Sequence, residues 1–282
     1  MSPRPPECGR TRSTTQHSRS GDGPVCQSDR VSLPPLPEPL PHPVVDSHCH
    51  LDTAQEVSGL DPAEAIDRAT AVGVTKIVQV GCDLDGARFA VRAAEHWDSV
   101  VAGVAIHPND AARMHPDELS QALAEIEQLA RHPRVRAVGE TGLDHYRTRD
   151  EAGHRIQRET FARHIGLARA TGKTLVIHDR DAHADVLDVL DAEGVPDRVV
   201  MHCFSGDADF ARACLDRGAW LSFAGPVTFK PNEHLREALR ITPLDRILTE
   251  TDATYLTPVP FRGRSNASYL IPHTARFLAE TL

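Results

Sequence analysis

From Val44 to the end of the chain, short apolar runs alternate with longer amphipathic segments, and no two short runs are adjacent. Eight runs have the length and branched content of strands: "VVDS", "TKIVQVG", "VVAGVAI", "VRAVGE", "KTLVIH", "RVVMH", "AWLSFAG" and "RILTET". Helical periodicity fills the intervals. "DPAEAIDRATAVG" shows full helix punctuation, with an Asp N-cap, Pro in the first turn and Gly at the end. Strands separated by helices pair in parallel through right-handed crossovers. Eight such α/β units predict a (β/α)8 TIM barrel, which ordinarily takes ~250 residues. A doubly wound open sheet is the competing arrangement, but no G-x-G-x-x-G opens a helix here.

Residues 1–43 differ in kind. They hold ten of the 21 prolines and show no apolar periodicity, and "VSLPPLPEPLPHP" reads as polyproline-type extended chain. The expected division is a disordered, dispensable Pro-rich tail over 1–43 and a barrel domain over 44–282. The formal net charge is −9; the tail has five Arg against four acidic residues, which leaves −10 on the barrel. That balance offers no global field for nucleic acid, although bound divalent cations and a local arginine cluster reverse the sign at one cleft. No apolar run approaches the ~18 residues of a membrane helix. No apolar h-region follows the start, and the six cysteines lack C-x-x-C spacing. These features predict a cytoplasmic protein with reduced thiols, no membrane association and no obligate protein partner. Alternation turns Cys49 and Cys203 away from the neighbouring histidines, as small packing residues.

In such a barrel the chemistry lies at the carboxyl ends of the strands. The first strand ends in His48-Cys49-His50, and alternation points both imidazoles the same way. Further strands end in Gly81-Cys82-Asp83, His107-Pro108-Asn109, Glu140 to Asp144, His178-Asp179-Arg180, His202-Cys203-Phe204 and Glu250-Thr251-Asp252; the seventh brings nothing ionisable. Each alone has a structural explanation, as a core histidine or a capping carboxylate. Five histidines and at least two carboxylates on one rim are instead the ligand set of a divalent metal, with zinc or manganese as fitting occupants.

The motifs "VVDSHCHLD", "AIHPND", "VGETGLDHYR", "VIHDRDAH", "MHCFSG" and "LTETDATYLTPVPFRGRSN" resemble, in order, those of the TatD family of metal-dependent deoxyribonucleases. That family belongs to the amidohydrolase superfamily of metal-containing barrels. The resemblance spans residues 44 to about 270 and implies a binuclear metal site at the C-terminal ends of the strands. It implies two divalent cations (Zn, Mn or Mg), one held by His48, His50, Glu140 and Asp252, the other by Glu140, His178 and His202, with Glu140 bridging. Many binuclear relatives bridge through a carboxylated lysine. This chain has three lysines: Lys76 and Lys173 fall at the amino ends of their strands, and Lys230 follows the seventh.

Catalysis would fall to Asp252, as ligand and general base, together with Glu140. Glu250 shares the face of Asp252, where it would assist or take a histidine proton. Arg180, Arg262 and Arg264 suit phosphate, His107 suits an outer donor or a purely structural loop role, and Tyr146 and Phe204 suit base stacking or plain packing. The expected activity is hydrolysis of DNA, as single strands or strand ends, from the 3′ end as the resemblance implies. The alternative is an amide, lactone or aminoacyl ester on the same barrel, because fold alone does not choose the bond. A mononuclear deaminase-type site shares most of these ligands but would leave Glu140 without a task. A barrel that keeps its ligands but serves only as a binding protein is a third reading. Two departures from the family pattern stand out. Thr254 replaces the usual proline after Asp252, which predicts a looser loop, and the chain stops at Leu282, before a further helical segment.

Overall fold

The computed structural model describes residues 33–282. Eight strands run in sequential order, each parallel to the next: β1 (Val44–Cys49), β2 (Val74–Gly81), β3 (Val100–Val104), β4 (Val135–Asp144), β5 (Thr174–Arg180), β6 (Val199–Met201), β7 (Trp220–Phe223) and β8 (Ile247–Thr249). Between β8 and β1 the barrel closes mainly at its carboxyl end. There Cys49 and Ala253 form a parallel bridge, Asp252 N–H donates to His48 O, and His50 N–H donates to Ala253 O. Asp46 completes the seam by accepting from the Thr251 amide (2.9 Å) and hydroxyl (2.6 Å).

Around the strands lie α1 (Leu51–Ser58), α2 (Pro62–Ala71), α3 (Leu84–His96), α4 (Pro108–Ala111), α5 (Pro116–Leu129), α6 (Glu151–Thr171), α7 (His183–Glu193), α8 (Ala208–Asp216), α9 (Glu233–Ile241) and α10 (Ile271–Thr281). Asp61, Asp83, Asp150 and Asp207 cap α2, α3, α6 and α8, each accepting from a backbone N–H of the first turn. The expected alternation is therefore the observed one. The short helices α1 and α4, both in loops of the catalytic rim, are additions. Among the described residues, no helix is long and apolar enough to cross a membrane.

A small apolar cluster of Ala137, Val176 and Val200, flanked by Trp220 and Leu248, is separate from the main core. Val176 precedes His178 by two residues, Val200 precedes His202, and Leu248 precedes Glu250. Period-two alternation places each pair on one face, so an apolar layer lies below the polar rim. Lys76 and Lys173 donate to backbone carbonyls of Asp98 (2.8 Å) and Val135 (2.6 Å), around the strand starts.

The tail boundary needs correcting. Residues 1–32 lie outside the described residues, but 33–43 dock on the barrel rather than trailing from it. An extended polyproline segment makes no internal hydrogen bonds, so its carbonyls are free to accept from elsewhere. Leu33 O accepts from Arg264 (2.9 Å), Pro34 O from the buried Tyr269 hydroxyl (2.5 Å), and Glu38 O and Pro39 O from Arg276 (2.6 and 3.0 Å). Leu40 N–H donates to Val72 O (3.0 Å). The melting temperature of a chain lacking 1–32 is the reference for these contacts. Removing 1–43 should lower it by roughly 5 °C or more, because each lost hydrogen bond is worth ~1 kcal/mol and each kcal/mol shifts a domain of this size by about 2–4 °C. Calorimetry of both truncations checks this, and equal melting temperatures would return 33–43 to the tail.

Candidate metal centre

The strand ends bring the expected residues together around Glu140, which is 4% exposed. Its two oxygens face different partners. Oε1 lies 2.6 Å from His178 Nδ1, 3.4 Å from His202 Nε2 and 3.5 Å from His107 Nε2. Oε2 lies 3.5 Å from His48 Nε2 and accepts from Cys82 Sγ at 3.5 Å. On the far side, His50 Nε2 stands 3.2 Å from His48 Nε2 and 3.4 Å from Asp252 Oδ1, and His202 Nε2 is 4.0 Å from that same oxygen. Three overlapping triads have all their donor atoms within 4.8 Å of one another: His48–His202–Asp252, His48–His50–Glu140 and His107–Glu140–His178.

These residues fit divalent cations on the chemistry of their donors. For three of the rings, the nitrogen turned away from the cluster has an acceptor beside it. His50 Nδ1 donates to Val80 O (2.8 Å), His178 Nε2 faces Asp144 Oδ2 (3.3 Å), and His202 Nδ1 faces Glu250 Oε1 (2.8 Å). An anchor on one nitrogen fixes which tautomer a metal would meet on the other. Burial opposes charge on the rings, but the carboxylates prevail. Asp144 and Glu140 push His178 up to about 10, and Glu250 and Glu140 push His202 up to about 9. These two rings thus bind protons tightly, and a divalent cation would compete for the same nitrogens.

Of the two expected roles for Glu250, the structure supports the histidine partner. It is fully buried and accepts from Cys203 N–H (2.8 Å) and Ser222 Oγ (2.5 Å), as well as facing His202. In the sequence, Asp144 and Cys82 are marked only by their place at strand ends. The partnership of Asp144 with His178 depends on the β4–β5 register, which no local pattern announces. Gly142, paired to His178, is required there: at φ +137° any Cβ would stand 2.1 Å from His178 O.

Several placements choose between the expected alternatives or differ from them. Phe204 is 4% exposed and packs near Phe210 and Phe223, so it presents no face to a ligand. Cys203 lies beyond the end of β6 at φ +42°, is half-buried, and so is not a strand packing residue. Arg264 donates to Leu33 O and stands over the Phe261 ring. The loop after Asp252 is tied down despite Thr254, because Asn266 donates to Thr251 O (2.8 Å) and Tyr255 O (2.7 Å). Cys49, Cys82, Cys203 and Cys214 are free thiols. Arg180 and Arg262 are exposed.

A barrel whose strand ends converge histidine and carboxylate donors defines a candidate metal-binding site of the kind metal-dependent hydrolases use. The family described as TatD related DNase matches residues 45–282, and the chain belongs to the TatD family. It is 50% identical over 242 residues to "Uncharacterized metal-dependent hydrolase TatD" of Mycobacterium tuberculosis, covering 84% of this chain and 89% of that protein. It is 40% identical over 237 residues to the Bacillus subtilis metal-dependent hydrolase YabD, covering 83% and 89%. The crystal structure of YJJV, a TatD homologue from Escherichia coli, superposes with a TM-score of 0.76 at 26% identity over 84% of this chain and 90% of that one.

Proposed function

We propose that the chain is a deoxyribonuclease that hydrolyses phosphodiester bonds of single-stranded DNA or strand ends with two divalent cations, zinc, manganese or magnesium. The observation that carries this reading is a pair of exposed arginines, each stacked on an aromatic ring, at two parts of the rim. Arg180 lies 4.1 Å over the Tyr146 ring on the β4–β5 side, and Arg262 lies 4.5 Å over Phe229 on the β7–β8 side. Stacking holds a guanidinium plane in place and leaves its N–H edge for phosphate oxygens. Tyr146 is 48% exposed, which leaves surface on which a base can stack. The family's description as related to a DNase supports the same substrate.

The cations, when bound, would polarise the phosphodiester and acidify the attacking water. His48, His50, Glu140, His178, His202 and Asp252 would hold them, with Glu140 between. Asp252 orients the water and accepts its proton. His107 Nδ1 accepts from Asn109 N–H (3.1 Å), so the neutral ring carries its hydrogen on Nε2 and turns a donor toward the site. That makes His107 a hydrogen-bond donor to substrate or to Glu140 rather than a ligand.

The test is hydrolysis of a short labelled oligonucleotide and of a panel of neutral amides and lactones across a salt series, in wild type and Arg262→Ala. With only a few cationic contacts on a barrel of charge −10, DNA binding should fall with salt along a shallow slope, each neutralised phosphate contributing about 0.7. Arg262→Ala should flatten that slope and raise KM more than it lowers kcat. Robust turnover of a neutral substrate, insensitive to salt, with no DNA cleavage would sink the nuclease reading and leave the metal centre standing.

A further inference from the structure

Asn109 is 7% exposed, on the four-residue helix α4, and touches none of the metal-cluster residues through its own side chain. Its amide orientation is nevertheless fixed by donor and acceptor logic. Nδ2 stands 2.8 Å from Asp144 Oδ2, and a carboxylate can only accept, so the NH2 group faces Asp144. Oδ1 therefore faces Thr148, whose hydroxyl donates to it at 3.2 Å. Gln157 Nε2 donates to that same hydroxyl (2.9 Å), while Gln157 Oε1 accepts from Asp144 N–H (3.0 Å). The ring Asp144–Asn109–Thr148–Gln157 closes with every donor meeting an acceptor.

Two imidazoles hang from this ring. Asp144 Oδ2, held by Asn109, faces His178 Nε2 at 3.3 Å. That carboxylate can only accept, so His178 carries hydrogen on Nε2, and Nδ1, 2.6 Å from Glu140 Oε1, is the nitrogen left for a cation. The backbone N–H of Asn109 meanwhile occupies His107 Nδ1 and leaves the hydrogen of the neutral ring on Nε2. With a cation bound, one residue would thus give two neighbouring histidines opposite assignments, Nδ1 lone pair inward for His178 and Nε2–H inward for His107. Their ring centroids are only 4.6 Å apart, so an error in either would place two donors or two ligands on one spot.

We infer that Asn109 is the positioning residue that makes His178 a ligand and His107 a donor, acting on the first through its side chain and on the second through its backbone. The two arms can be separated. Asn109→Asp keeps shape and backbone N–H but sets an acceptor against Asp144, so it breaks only the His178 arm. Thr148→Val removes the donor to Asn109 Oδ1 and leaves both direct contacts in place, so it should give a weaker effect of the same kind.

This inference rests on the metal reading, not on which bond the enzyme cuts, so the readout is zinc binding by calorimetry together with 15N spectra of histidine-labelled, zinc-loaded protein. Wild type should take two equivalents, with His178 showing Nε2–H. In Asn109→Asp, affinity for one equivalent should fall by about 10–100-fold, as for other outer partners of metal ligands. The other equivalent should be unchanged, as should the His107 signal. A purely structural role would lower the melting temperature of both variants and leave the two zinc affinities in their wild-type ratio, which would overturn the inference. Wild-type affinity for both equivalents in Asn109→Asp would overturn it also. Absence of zinc binding by wild type would overturn the inference together with the metal reading beneath it.

Discussion

Replacing Glu140 by alanine should remove more than one equivalent of bound metal and abolish turnover, the largest effect of any single change at this site. Its oxygens serve two sets of donors at once, Oε1 toward His178 and His202 and Oε2 toward His48. No neighbour can take its place. Of the other carboxylates, Asp144 and Glu250 are occupied on the outward nitrogens of His178 and His202, Asp252 already faces His50 on the far side of the cluster, and Lys76 and Lys173 are bound around the strand starts. Loss of an outer partner typically costs about 10–100-fold in metal affinity or activity, and loss of a shared ligand should exceed that clearly. Glu140→Gln is the informative companion. It keeps an oxygen for one set of donors but offers an N–H2 group to the other, so it should retain about one equivalent. Elemental analysis after gel filtration reads both, and a full complement in Glu140→Ala would end the bridging assignment.

The parts of this centre that could be read in the sequence are those set by local rules. Strand ends are marked by apolar runs, and alternation within β1 puts His48 and His50 on one face, so the histidines and Glu140 could be gathered from their positions alone. What could not be read depends on contacts between strands. Whether Glu250 would pair with a histidine or assist Asp252 depends on contacts of His202 and Cys203, beyond β6, with Glu250, beyond β8. Asp144 became the partner of His178 through the β4–β5 register, and Asn109 joined them through a four-residue helix too short to leave a periodic signature. Tyr146 and Phe204 were equivalent in sequence, each beside a site residue, but one is exposed and the other sits among Phe210 and Phe223. Residues 33–43 were read as tail because polyproline chain has no period to reveal a buried face. Their anchors, Tyr269, Arg264 and Arg276, lie more than 200 residues away in the chain.

Asp252→Asn should retain the fold and lose catalysis, with kcat falling by about 10²–10⁴ as expected when a general base is removed. Three features of its placement make this sharp. Its side chain is 18% exposed, against 6% for Glu140, 1% for Glu250 and 1% for Asp144, so it is the carboxylate of the cluster that water can reach. Burial raises its pKa, but the hydrogen bond with His50 and the charges of His202 and His48 outweigh that and hold it below the usual carboxylate range, so it is ionised and ready to accept. Its backbone sits at φ +50°, in the left-handed region, and its N–H donates to His48 O across the barrel seam. Asparagine tolerates that conformation as aspartate does, whereas alanine would add strain at the seam and confuse lost chemistry with lost structure. The amide fills the same space but cannot take a proton from water. Melting temperature within about 2 °C of wild type, with turnover reduced a hundredfold or more, is the expected pair of results. Turnover within tenfold of wild type would move the base elsewhere. Glu250 could not be its replacement, because it is fully buried and its oxygens are engaged by His202, Cys203 and Ser222.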